Sequence, residues 1–139
     1  MRIAVVYHAE KNLPLIRDLA KGVARGLESQ GASVDVINSK EFTSRLTIYN
    51  YIVLGTEVTG NFGGSIPPSL SKFLEAAGPV GSKRSCGFLP ARGFRRQKSL
   101  LKLMTTMEKE GMFVTDFDIL PSADAAEALG KKLNFQSRH

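Results

Sequence analysis

The sequence predicts an α/β domain built on a doubly wound, five-stranded parallel sheet with helices on both faces. Three observations predict it. The runs at 3–7 (IAVVY) and 51–55 (YIVLG) carry no charged or strongly polar residue, as strands buried on both faces of a parallel sheet require. Segments with helical apolar spacing alternate with the strand segments, and right-handed crossovers between parallel strands place such helices on both sides of the sheet. The chain of 139 residues, 42% hydrophobic and 23% charged, can bury one core as a single domain over 1–139.

The elements follow in order. Residues 3–7 read as a central strand, and the polar loop 8–12 leads to Pro14, which suits a helix first turn. Leu15, Ile16, Leu19, Val23 and Leu27 then recur at three- or four-residue steps up to a stop at Gly31. Residues 33–37 (SVDVI) alternate like an edge or near-edge strand, and 51–55 form a second buried run, with a poorly patterned stretch at 38–49 between them. After a loop over 56–66, Pro67 and Pro68 open a helix carrying Leu70, Phe73 and Leu74, which Gly78 and Pro79 stop. A strand near 85–89, a helix over about 97–111 with Leu100, Leu101, Leu103, Met104 and Met107, and a strand at 112–120 come next. A final helix starts at Ser122, whose hydroxyl and the early acid Asp124 suit a helix N-terminus.

Composition narrows the function classes. Cys86, the one cysteine, excludes an internal disulfide, and it reads as a buried small hydrophobe within an apolar strand rather than a thiolate. His8 and His139 are the two histidines, far apart, so no zinc spacing exists and no metal is expected. The N-terminus lacks a signal-peptide core, and no apolar run approaches the roughly 20 residues of a membrane span. A soluble, cytoplasmic protein is the expectation. The net charge of +6 is unevenly distributed: no acid lies between Glu75 and Glu108, whereas Lys83, Arg84, Arg92, Arg95, Arg96, Lys98 and Lys102 all do. This basic 83–102 region is either a solvated surface or the attachment site of an anionic partner.

The segments 3–7 and 51–56, together with Phe62-Gly63-Gly64-Ser65-Ile66-Pro67-Pro68-Ser69-Leu70-Ser71-Lys72-Phe73-Leu74, resemble the flavodoxin-like family, including the FMN domains of NAD(P)H:quinone oxidoreductase type. The resemblance implies strand order 2-1-3-4-5, noncovalent FMN at the loops after strands one, three and four, and electron transfer to a redox partner protein or small acceptor. Any enzymatic activity would then be that of an FMN-dependent oxidoreductase. In such a site backbone amides at the start of the first helix receive the phosphate dianion, while aromatic planes and exposed amides hold the ring.

The resemblance assigns His8, Glu10, Lys11, Asn12 and Leu13 to the first loop, and Thr56, Thr59, Gly60, Asn61, Phe62, Gly63 and Gly64 to the second. Pro90, Arg92, Gly93 and Phe94 fall in the third. Phe62 is the foremost stacking candidate; Phe62 and Phe94 read equally as packing residues, and Asn12 as a helix cap. The first loop departs from the family, whose members are rich in Ser, Thr and Gly there. Glu10 brings a carboxylate toward the phosphate position, a repulsion of a few kcal/mol at about 4 Å in a surface-like dielectric. Lys11 stands in place of a glycine, so a left-handed conformation there costs about 1–2 kcal/mol. Protonated His8 could donate to an anion, strengthening binding below roughly pH 6.5.

Two functions therefore stand side by side: an FMN redox module with an atypical first loop, and a flavodoxin-fold binding or interaction domain that has lost FMN and uses its basic surface for an anionic partner. A phospho-acceptor receiver would need an aspartate where strand three ends in Thr56-Glu57, and nucleic-acid recognition lacks any reading motif. Ser65 lacks nucleophile-elbow spacing, and no dinucleotide fingerprint is present.

Overall fold

The structure, a computed structural model, describes residues 1–60 and 64–136. The elements run β1 (Arg2–His8), α1 (Leu13–Ser29), β2 (Ser33–Asn38), β3 (Tyr51–Thr56), α2 (Ser69–Ala76), β4 (Arg84–Pro90), α3 (Arg96–Lys109), β5 (Phe113–Leu120) and α4 (Ala123–Lys132). The five strands are parallel in the order β2-β1-β3-β4-β5, as the resemblance implied.

Continuous apolar runs become the inner strands. Ile3 through Val6 and Tyr51 through Leu54 are fully buried, because α1 and α4 cover one face of the sheet and α2 and α3 the other. The alternating run becomes the edge strand β2, where Asp35 is fixed by Arg2 at 3.0 Å and by the Tyr49 hydroxyl at 2.7 Å. Those bonds also pin the unpatterned stretch: it contains a short 3-10 turn, Leu46–Ile48, and seats Leu46 in the core.

α1 stops as expected, with Gly31 in the left-handed region at φ 90° and its N–H returning to the Glu28 carbonyl. The Ser122 hydroxyl caps α4 by accepting from the Ala125 N–H at 3.1 Å. α3 ends earlier than its sequence pattern, since Gly111 turns at φ 88°. Of its apolar residues, Leu100, Leu103 and Met107 are buried but Leu101 faces solvent. The other edge strand, β5, carries a register shift opposite Ser85 and Cys86.

Cys86 is fully buried, and burial pushes its thiol far above the ordinary value, which fits a packing role. Among the described residues no helix is long and apolar enough to cross a membrane.

Candidate functional site

The C-terminal ends of the strands gather the three loops at the point where strand order reverses between β1 and β3. In the register of these two strands His8 stands opposite Thr56, and the Thr56 hydroxyl donates to the His8 carbonyl at 2.7 Å. That pairing sets the next residue of β3, Glu57, directly beside the loop that follows β1.

Glu57 is 1% exposed, and its carboxylate is the acceptor for that loop. The Glu10 N–H donates to Oε2 at 2.6 Å, the Lys11 N–H to Oε2 at 3.1 Å and Oε1 at 3.3 Å, and the Asn12 N–H to Oε1 at 2.8 Å. Three consecutive amides at the start of a 17-residue helix converge on one anion. Charge-assisted bonds of this kind, aided by the helix dipole, are what a loop uses to seat a phosphate. Here the seat is filled by the protein's own side chain.

The first-loop side chains make a second network beside it. His8 is buried, with Ser39 Oγ at 2.6 Å from Nδ1 and Ser69 Oγ at 2.7 Å from Nε2. Ser69 donates to Glu10 Oε1 at 2.8 Å, and Lys40 pairs with Glu10 Oε2 at 2.9 Å. With the Ser69 proton directed at Glu10, the arrangement is satisfied by a proton on Nε2 of His8 and a Ser39 hydroxyl donating to Nδ1. Burial holds His8 below its ordinary pKa, against the opposing pull of Glu10. Both ring nitrogens are engaged inside the protein, so neither is free to donate to a bound anion. Hydrogen bonds from Lys40 and then Ser69 hold the Glu10 carboxyl below the usual range.

The sequence reading of the first loop is corrected on three points. The carboxylate in the phosphate position belongs to Glu57, while Glu10 turns toward Lys40 and Ser69. Lys11 carries no left-handed strain: among the described non-glycine residues, positive φ occurs at Ser82 and Arg95. Asn12 occupies the N-cap position of α1 without a side-chain capping bond, its backbone N–H going to Glu57. Leu13 packs against the α1 side of the core.

The second loop is clasped by a backbone bridge. Thr59 and Ser65 exchange N–H to carbonyl bonds at 2.9 and 3.1 Å, with Gly60 turning between them at φ 86°. Asn61, Phe62 and Gly63 lie outside the described residues. Gly64 rests on the third loop so closely that an added Cβ would lie 2.5 Å from the Arg95 carbonyl oxygen, and Ser99 Oγ donates to the Ser65 carbonyl at 2.9 Å.

The third loop holds the open space. Pro90 is buried as the last residue of β4, Arg92 is exposed, and Gly93, at φ 102°, lies against Val58. Beyond them a cleft of about 580 Å³ is lined by Ala91, Gly93, Phe94, Arg95, Arg96, Gln97, Ile119 and Pro121. Phe94 is 65% exposed there, so it is not a packing residue of its loop. Arg95 adopts a left-handed backbone (φ 55°, ψ 52°) at the N-cap of α3, a conformation costing about 1–2 kcal/mol that the surrounding contacts must offset. A second groove, of about 370 Å³, continues along α3 and is lined by Ile66, Lys98, Leu101, Lys102, Thr105, Thr106 and Lys109. The fold thus brings the first-loop candidates together around Glu57 and Ser69, and it gathers Gly93 and Phe94 with Arg95 and Arg96 in a separate cleft. Glu57, Ser39, Lys40 and Ser69 are site residues that sequence reasoning missed; an acid directly after a buried strand end was the available signal for Glu57.

Comparison with solved structures identifies the fold. An archaeal flavodoxin matches with a TM-score of 0.70 at 20% identity, covering 94% of each chain. Flavodoxin 1 from Bacillus cereus matches with a TM-score of 0.70 at 16% identity, over 96% of this chain and 100% of that one. The two-electron reduced flavodoxin of Megasphaera elsdenii gives 0.71 at 15%, over 93% and 96%. The chain has the flavodoxin-like fold. No protein-family model matches the sequence, and no curated protein does.

For FMN, the fit is decided at the first loop. The first loop does not fit its phosphate: the three amides that would receive the dianion already bind a buried carboxylate, and a phosphate brought beside Glu57 would meet a like charge.

Proposed function

We propose that this chain is a flavodoxin-fold binding domain that recognises an acidic protein surface through its third loop and α3. The carrying observation is the run of cationic side chains from the cleft at Arg95 and Arg96 along α3 through Lys98 and Lys102 to Lys109. Among the described ion pairs none involves these five residues. The next acids, Glu108 and Glu110, stand at the far end of the helix. Exposed Phe94 and Leu101 lie within the stripe and supply apolar contact that a purely solvating face would lack.

The test is titration with poly-L-glutamate, using single-stranded DNA and neutral dextran as comparisons. The expected result is binding to poly-L-glutamate that weakens with salt. Charge reversal at Arg95, Arg96 and Lys98 to Glu should lower the affinity about tenfold or more, since exposed pairs contribute up to about 1 kcal/mol each and about 1.4 kcal/mol is a factor of ten. Absence of binding at low salt, preference for the DNA, or indifference to the charge reversal would refute the reading.

A second reading keeps the redox function: noncovalent FMN passing electrons to a partner protein or small acceptor. The observation in its favour is the whole-chain likeness to flavodoxins, one of them a two-electron reduced form. It requires Glu57 to vacate the amides of the first loop, or the phosphate to be held elsewhere.

A further inference from the structure

We infer that the loop after β1 is a complete oxyanion receptor kept closed by Glu57, and that removing this one carboxylate opens it to phosphate. The inference stands apart from the basic cleft.

The receptor is complete because its donors are backbone groups. The Glu10, Lys11 and Asn12 N–H groups meet the two Glu57 oxygens at 2.6 to 3.3 Å, and α1 projects its positive end from the same place. Two oxygens of a phosphate present the same chemistry as two oxygens of a carboxylate. The occupant is itself an acid whose two oxygens meet all three amides, and it is 1% exposed.

Glu57 is also fixed at its root. Thr56 is locked to β1 by its hydroxyl, so the carboxylate is delivered by the sheet register rather than by a mobile loop. A tethered carboxylate competes intramolecularly with any free anion for the amides, which favours the closed state. Truncation would leave the three N–H groups without their present acceptor, and an anion from solution would take its place.

The probe is inorganic phosphate, with sodium chloride at matched ionic strength as reference. In the unaltered protein the amide resonances of Glu10, Lys11 and Asn12 should stay fixed as phosphate is added, and the thermal midpoint should match that in chloride. Glu57→Ala should melt lower in chloride, recover saturably in phosphate, and shift those three resonances as it does so. Reading the resonances separates the loop from phosphate gathered by the arginines of the cleft. Where Glu57→Ala folds in neither salt, Glu57→Gln decides, because it keeps the side-chain volume but offers a neutral group that phosphate displaces. Saturable phosphate shifts at residues 10–12 in the unaltered protein would overturn the inference. So would a folded Glu57→Ala, or a folded Glu57→Gln in its place, whose three amides ignore phosphate.

Discussion

Gly26→Val should destabilise the domain by about 3 kcal/mol or more, a large share of the roughly 5–15 kcal/mol that holds a domain of this kind folded. Gly26 lies where α1 crosses α4. A Cβ built on it would overlap the Glu127 carbonyl oxygen and approach the Gly130 Cα and Lys131 N at 2.7 Å. The reciprocal position, Gly130, meets the Val23 carbonyl oxygen and the Gly26 Cα in the same way. The obstacles are backbone atoms, which no rotamer change removes, so the helices must separate. That would loosen Leu19, Val23, Leu27 and Leu129, all now buried beneath the pair. A glycine within a helix costs about 1 kcal/mol relative to alanine, so the close approach outweighs what better helix propensity would return. In a thermal melt the midpoint should fall by roughly 10 °C, given a few degrees per kcal/mol at this chain length. A change within about 1 kcal/mol of the unaltered protein would show that α1 and α4 can move apart freely.

Phe88→Ala should cost a comparable amount, about 3–5 kcal/mol. Phe88 is fully buried on β4, and its ring lies across β3 at Gly55, where an added Cβ would overlap the ring carbons. The two positions are complementary, so Gly55→Ala alone should overpack the site by about 1–3 kcal/mol. Together the changes should be less harmful than their sum, because the added methyl enters the space the ring left. Urea unfolding of the two single variants and the double variant measures this coupling; strict additivity would mean that Phe88 does not dictate glycine at position 55.

These two sites also mark what the sequence disclosed. The inner strands were legible because residues 3–7 and 51–55 must be apolar on both faces, and α4 because Ser122 and Asp124 write its start locally. Gly26, Gly130 and Gly55 carried no such signal. Each is required by a partner far along the chain: Glu127 for Gly26, Val23 for Gly130 and Phe88 for Gly55. Leu101 shows the complementary limit: it belongs to the apolar set of its helix, but the covered face of α3 is spanned by Leu100, Leu103 and Met107 and leaves it exposed.

The candidate site divides in the same way. That the first loop departs from a phosphate loop was visible in His8, Glu10 and Lys11. That Glu57 is the residue filling it was not, because the contact joins residues 45 to 47 positions apart and exists only once β1 and β3 pair with His8 opposite Thr56. The cations between residues 83 and 102 were legible as a group. Their division was not: the Lys83 ammonium bonds the carbonyls of Thr47 and Tyr49, Arg84 bonds that of Gln136, Arg92 is exposed on the third loop, and Arg95, Arg96, Lys98 and Lys102 lie along the cleft and groove.

Occupation of the first-loop amides by Glu57 has one immediate consequence for FMN, read by titrating the freshly purified, unaltered protein with it. The expected result is a colourless protein that leaves flavin fluorescence and its own thermal midpoint unchanged as FMN is added. A yellow protein carrying near-stoichiometric FMN, or saturable fluorescence quenching with a raised midpoint, would contradict it.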